Sequence, residues 1–282
     1  MGGRLVLPLQ ARSAGDPTLV GAKAVGLNLL LRHGFPVPPG FCVLPSSSTT
    51  LRGLPPDFRR AIDHVYGRLG TLVAVRPSTA SPAKTLLGIN GEEAAARAVA
   101  RCMAARGDSR TGELCPVIMQ KLVDAISSGV AHGRNPENGD ETEVLIEAGW
   151  GIGQPDPAGN VKPDLFRVRK YPLLLLTREP AAKVRETRAG PVGLVDRPLP
   201  QALRLAPSLT DDEAVTLAEL LRRIEERLGY VVQIEWALTK RGFVLLELDR
   251  AAEPPRDSFY LSPPLAGGYH ETISTLDVTD RK

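Results

Sequence analysis

Apolar and polar residues alternate with a period of two on both sides of Lys240-Arg241-Gly242, in the run YVVQIEWALTKRGFVLLELDR from Tyr230 to Arg250. Alternation of this kind marks a half-buried strand, and two such strands around a short glycine-bearing loop predict a hairpin. A three-residue loop with Gly242 in the left-handed conformation pairs Thr239 with Phe243. Counting back, Glu235 falls opposite Glu247 and Gln233 opposite Asp249 on one face. Val232, Ile234, Trp236, Leu246 and Leu248 then take the opposite, core face. Just upstream the period becomes helical. Apolar positions recur from Val215 to Leu228, and Thr210 with Glu213 three residues later forms a capping-box signature at the start of that helix.

From the N-terminus, Leu5 to Leu9 reads as a short strand. Ala24 to Arg32 has helical spacing with Gly34 as a stop, and a strand follows from Gly40 to Leu44. Pro55 to Leu69 reads as a helix, Thr71 to Val75 as a strand, Leu87 to Gly91 as a glycine turn, and Glu92 to Arg106 as an alanine-rich helix. From Pro116 onward the chain turns to strands separated by glycine turns, an antiparallel pattern rather than a doubly wound one. His132 is read as a loop residue there. The tail from Ala251 reads as a loose extension.

Three places carry candidate chemistry. Two carboxylates facing each other on paired strands lie about 5 Å apart at Cβ and repel, so Glu235 and Glu247 need a cation or a proton between them. Magnesium suits such a pair, since it takes one or two carboxylates and completes its shell with water and phosphate oxygens. A solvated polar face explains the same two residues equally well. Lys23, between Gly21 and Gly26 at a helix start, can reach phosphate oxygens with help from the helix dipole and free backbone N–H groups. It can equally be merely exposed, because the spacing does not match the pattern GxxxxGK[ST]. Arg76, delivered by a strand into Pro77-Ser78-Thr79, offers a planar fork of donors to phosphate, or is a plain strand exit.

Composition narrows the field. With 282 residues and a net charge of +3 of mixed sign, the chain is ample for a large core and carries no electrostatic footprint for nucleic acid. Cys42, Cys102 and Cys115 lack CxxC spacing, so neither a disulfide framework nor a zinc site is expected, and a reducing, cytoplasmic setting fits. The first residues lack an apolar core and a cleavage pattern, and no run approaches the ~18 apolar residues of a membrane span. No membrane association is expected.

The blocks LVGAKAVGLNLLLRHGFPVPPGFCV, VAVRPSTAS, VIMQKLVDAISSGVAHGRNPENGD, VLIEAGWGIGQ, NVKPD and LTDDEAVTLAELLRRIEERLGYVVQIEWAL occur in that order. Together, over residues 18–250, they resemble the ATP-binding domain of the pyruvate phosphate dikinase and phosphoenolpyruvate synthase family, which includes rifampicin phosphotransferase. The resemblance implies an α+β, ATP-grasp-like fold of two lobes clasping ATP and Mg2+, with lobes at 1–190 and 191–254 and an extension at 255–282. It also implies that Lys23 and Arg76 contact phosphates, that Gly88 belongs to a glycine-loop contact, that Gln120 and Leu122 line the adenine hinge, and that Glu235 binds metal. Glu247 stands where the family usually has glutamine, and its oxygen can still bind metal.

The family passes a β,γ-pyrophosphoryl group from ATP to a histidine on a separate swivelling domain, releasing AMP. Here Gln233 replaces an aspartate, Asp249 stands where an arginine would face the transferring phosphates, and Arg250 is displaced by one residue. Arg76-Pro77-Ser78-Thr79 is followed by an altered, shortened segment at Ala80-Ser81-Pro82. His270 lacks the context of the family's phosphorylated histidine, so a histidine-domain protein acting in trans is the implied partner. Three functional classes follow: a dikinase-type phosphotransferase subunit, a nucleotide-binding or regulatory module without transfer chemistry, and, behind both, an ATP-grasp ligase.

Overall fold

The segment from Tyr230 to Arg250 does form a hairpin, and it lies at one edge of the larger of two antiparallel sheets. The computed structural model describes residues 5–45, 54–70, 72–79, 85–104, 114–153 and 162–252, within a compact unit spanning Met1–Ala252. The altered segment at Ala80-Ser81-Pro82, His270 and the tail beyond 252 lie outside the described residues.

In chain order the elements are β1 (Val6–Pro8), α1 (Pro17–Val20), α2 (Ala22–Arg32), β2 (Gly40–Val43), α3 (Pro56–Leu69), β3 (Val73–Pro77), β4 (Leu86–Ile89), α4 (Glu92–Ala104) and β5 (Val117–Lys121). There follow β6 (Ser127–His132), β7 (Glu143–Trp150), β8 (Asp164–Arg169), β9 (Leu174–Glu179), β10 (Arg185–Ala189), β11 (Leu194–Pro198), α5 (Asp211–Leu228), β12 (Val232–Thr239) and β13 (Gly242–Arg250). The first sheet has the order β1-β2-β5-β3-β4 and the second β13-β12-β6-β7-β8-β9, while β10 and β11 form a separate ribbon. The chain passes from one sheet to the other between Lys121 and Ser127, so β6 to β9 share a sheet with the hairpin. The fold is α+β.

Alternation sorts the residues onto faces as the period predicts. In the larger sheet Leu248, Ile234, Ala131, Ile146 and Phe166 are cross-strand neighbours and all buried. Helix α5 covers this face with Ala214, Leu217, Ala218, Leu221 and Ile224. Its start has the expected capping box, in which Thr210 Oγ1 accepts from the Glu213 N–H and the Glu213 carboxylate accepts from the Thr210 N–H at 2.7 Å. In the smaller sheet, Val43, Val73, Val75, Val117 and Met119 pack under α3 and α4, while Cys42 and Ile118 face the core that contains α2. Burial pushes the Cys42 thiol up to about 12 and the Cys102 thiol up to about 11, so both stay protonated.

The hairpin corrects the expected register near its turn. The loop is two residues, Lys240-Arg241, and Thr239 pairs with Gly242 rather than Phe243. A bulge then inserts Leu246 between the pairs Trp236–Leu245 and Glu235–Glu247. The shorter loop and the extra residue cancel, so Glu235 does face Glu247 and Gln233 does face Asp249. Leu245, not Leu246, enters the core. His132, expected in a loop, ends strand β6 and sits opposite Gln233.

Helix α2 meets this hairpin directly. A Cβ built on Gly26 would stand 2.6 Å from the Leu248 backbone oxygen, so only glycine lets helix and strand approach this closely. Gly26→Ala should therefore destabilise the protein by about 1–3 kcal/mol, although alanine gains about 1 kcal/mol of helix propensity. Urea unfolding checks this. A variant as stable as wild type would show that α2 and β13 are not locked together.

Candidate functional site

Strand β3 and helix α2 are joined by one residue, Ser78. Its backbone oxygen accepts from the Lys23 N–H at 3.1 Å and its Oγ accepts from the Ala24 N–H at 3.0 Å. Gly21, at φ +78, permits the contact, since a Cβ there would lie 2.4 Å from the Ser78 oxygen. The N–H groups of Lys23 and Ala24 are thus engaged by Ser78, contrary to the expectation that the helix start offers free donors. In return, the cap fixes Lys23 beside Arg76, two residues before Ser78.

Arg76 is buried and joined to four groups. Nη1 pairs with Glu247 Oε2 and lies 3.8 Å from Glu235 Oε2, while Nη2 donates to the Leu246 backbone oxygen and to Gln120 Oε1, the latter at 3.3 Å. Lys23 Nζ is 2.6 Å from the other Glu247 oxygen, and its side chain keeps 30% of its surface open to solvent. Both oxygens of the buried Glu247 carboxylate are therefore held by cations. This relieves the repulsion from Glu235 that the sequence pattern raised.

The polar rows on the sheet surface extend the site. Glu247, Glu235, Val130 and Glu147 are successive cross-strand neighbours, as are Asp249, Gln233 and His132. His132 Nε2 lies 3.3 Å from Glu147 Oε1, and this bond is the main influence holding the Glu147 carboxyl below its usual range. Glu235 keeps 47% of its side-chain surface exposed, yet lost hydration and then the Glu247 charge raise its pKa against the pull of Arg76 and Lys23. Asp249 is raised for the same two leading reasons. Two cations thus face three carboxylates.

The remaining expected positions are distributed as follows. Gln120 lies on β5, where its Oε1 supports Arg76 and its Nε2 donates to the Pro38 oxygen at 3.3 Å. Its side chain orients the guanidinium. Leu122 lies in the connection between the sheets, its N–H donating to the Leu72 oxygen at 3.0 Å and its side chain packing in a small apolar cluster with Leu87, Leu194 and Leu246. Gly88, at φ +69 on β4, supports the β10–β11 ribbon, since a Cβ there would stand 2.7 Å from Leu194 Cγ. The polar contacts of the Lys23–Arg76–Glu247 cluster do not include it among the described residues.

Sequence reasoning missed Ser78 and the Leu246 carbonyl. The latter had a signal, because the adjacent leucines in Val244-Leu245-Leu246-Glu247 break the period of two and mark a bulge. Among the described residues, no group of three or more His, Cys, Asp or Glu side chains is arranged to hold a metal. A paired Glu235 and Glu247 fits an ion that needs only one or two carboxylates. Among the described residues no helix is long and apolar enough to cross a membrane.

An α+β chain with a lysine and an arginine converging on paired acids between two antiparallel sheets has the parts of a phosphate-handling domain. Residues 47–248 match the family of the pyruvate phosphate dikinase AMP/ATP-binding domain, and the chain belongs to that family. It is 30% identical to a rifampicin phosphotransferase of Streptomyces sviceus, over 86% of this chain and 35% of that protein. It is 28% identical to a phosphoenolpyruvate synthase of Aeropyrum pernix, over 83% of this chain and 40% of that protein. The chain therefore spans little more than a third of these relatives. A solved biotin carboxylase complex from Campylobacter jejuni is 12% identical, covers 80% of this chain and 39% of its own, and has a TM-score of 0.43.

Asp249 is the surplus charge at this site. Because its folded-state pKa is raised, the native state holds the proton more tightly than the unfolded chain, and stability falls as pH rises through the window above the ordinary carboxylate value. Asp249→Asn should raise the melting temperature at pH 7 in chelator, with the gain vanishing below about pH 4. Thermal melts across that range check it, and an equal or lower melting temperature at pH 7 would contradict it.

Proposed function

We propose that this chain binds ATP with Mg2+ at the Lys23–Arg76–Glu235–Glu247 site and supplies the ATP-activating step of a phosphotransferase. The observation that carries the reading is the convergence of Lys23, Arg76 and Glu247 from α2, β3 and β13. Membership of an AMP/ATP-binding domain family supports the nucleotide, and the paired acids fit a hard divalent ion. Lys23 and Arg76 would contact the phosphates, Gln120 would hold Arg76 in place, and Glu235 with Glu247 would hold the metal. Gln120 and Leu122, beside the passage between the sheets, would also line the adenine hinge and Gly88 would belong to a glycine-loop contact, in an ATP-grasp-like clasp of two lobes.

The transfer itself belongs to the same proposal. A histidine nitrogen of a separate domain or partner chain attacks the β-phosphorus of ATP. The bond from that phosphorus to the α,β-bridging oxygen breaks, and AMP leaves with the electron pair. The final acceptor is then phosphorylated elsewhere. Relatives named as phosphotransferases and synthases, about three times the length of this chain, support this reading. A second reading, a nucleotide-binding module without transfer chemistry, is favoured by Asp249, a carboxylate beside the two cations. Preorganised positive charge carries much of phosphoryl-transfer catalysis, so an acid at that place works against it.

Calorimetric titration with ATP in excess magnesium tests the binding step. Wild type should bind, and Lys23→Ala should weaken binding by about tenfold or more, since one phosphate contact carrying a charge is lost. Lys23 is the better position to substitute, because removing Arg76 leaves the buried Glu247 without its second cation. No heat of binding in wild type would overturn the ATP assignment.

A further inference from the structure

The two cations proposed to bind phosphate are each paired with Glu247 in this structure. Lys23 closes on one oxygen of Glu247 at 2.6 Å and Arg76 closes on the other, and Glu247 itself is buried at 4% exposure. With Glu235 and Asp249 alongside, the cluster contains two positive and three negative side chains. A triphosphate approaching it meets excess negative charge, and both cations already have a partner. In a partly buried setting such charges act on one another far more strongly than they do in water.

We propose that Glu247 is an internal competitor for Lys23 and Arg76, and that a divalent cation must engage the Glu247–Glu235 pair before those two side chains can turn to the phosphates of a nucleotide. The proposal rests on the ATP-binding reading above and concerns how entry to that site is controlled. The arrangement of each side chain fits an exchange of partners. Glu235 lies directly opposite Glu247, is half-exposed, and meets Arg76 only at 3.8 Å, so an incoming cation can reach it first. Arg76 stays in place when Glu247 lets go, because Nη2 remains bound to the Leu246 oxygen and Gln120 Oε1. Only Nη1 is released. Lys23, partly exposed on a flexible stem, swings from its donor role toward Glu247 to one toward phosphate.

The same contact ties the two sheets together. Lys23 and Arg76 are held on the side of the smaller sheet by the Ser78 cap, whereas Glu247 belongs to the larger one. Exchange of Glu247 between internal cations and an added metal therefore couples metal loading to the fit of α2 and β3 against β13.

The test is calorimetry of a non-hydrolysable ATP analogue binding to wild type and Glu247→Gln, each in chelator and in excess magnesium. Glutamine keeps the shape and one acceptor but removes the competing charge. The proposal predicts that Glu247→Gln binds the analogue about tenfold or more tightly than wild type in chelator, and no more tightly in magnesium. It also predicts a lower melting temperature for Glu247→Gln in chelator, because Lys23 and Arg76 lose a buried counter-charge. If Glu247 were solely a metal ligand, the substitution would weaken binding in magnesium and leave the chelator arm unchanged, and that result overturns the proposal. Comparable wild-type affinity in chelator and magnesium also overturns it while leaving ATP binding intact. This comparison decides the matter even if the variant does not fold. Absence of binding in every arm overturns the ATP reading itself, and the gate with it.

Discussion

One buried carboxylate, Glu247, with a cation on each oxygen, is the interaction on which the arrangement of this protein depends. Removing a single partner from a buried ion pair leaves an uncompensated charge, a change far costlier than the net worth of the pair. The fold accordingly surrounds the pair with supports. Ser78 caps α2 and thereby sets Lys23 next to Arg76, Gln120 braces the guanidinium from β5, and the carbonyl of Leu246 braces it from β13. The last support comes from Leu246, the residue that the bulge inserts between the Trp236–Leu245 and Glu235–Glu247 pairs.

The surrounding architecture is ordinary antiparallel α+β packing around largely apolar core faces, with Asp164 and Lys183 buried as an ion pair among the polar side chains it encloses. The site lies instead on the polar face of the larger sheet, where acids recur at cross-strand positions, and at the point where α2 approaches β13 across Gly26. A charged cluster of this kind contributes little to folding for its size. Its value lies in the choice of partner that each side chain retains. On the proposed reading of a phosphate-binding site with net negative charge, that choice falls to the cation that arrives with the ligand.

Much of this was legible in the sequence. The two alternating runs identified the hairpin, the Thr210–Glu213 spacing identified the start of α5, and the pairing of Glu235 with Glu247 followed from counting. That count succeeded through two compensating differences, since the loop is shorter by one residue and Leu246 restores the phase. What the chain did not disclose is long-range. Ser78 reads as one of several small hydroxyl residues, and nothing local indicates that it will cap a helix 54 positions away. The capture of Lys23 and Arg76 by Glu247 likewise depends on how two sheets meet. Local periodicity carries no information about that.

The most direct measurement is a crystal structure of the chain with a non-hydrolysable ATP analogue and magnesium. Phosphate oxygens should lie within hydrogen-bonding distance of Lys23 Nζ and Arg76 Nη1, with the metal on Glu235 and Glu247 and the Lys23–Glu247 contact broken. A nucleotide bound while Lys23 and Arg76 both remain closed on Glu247 would contradict it, as would a nucleotide seated away from these residues.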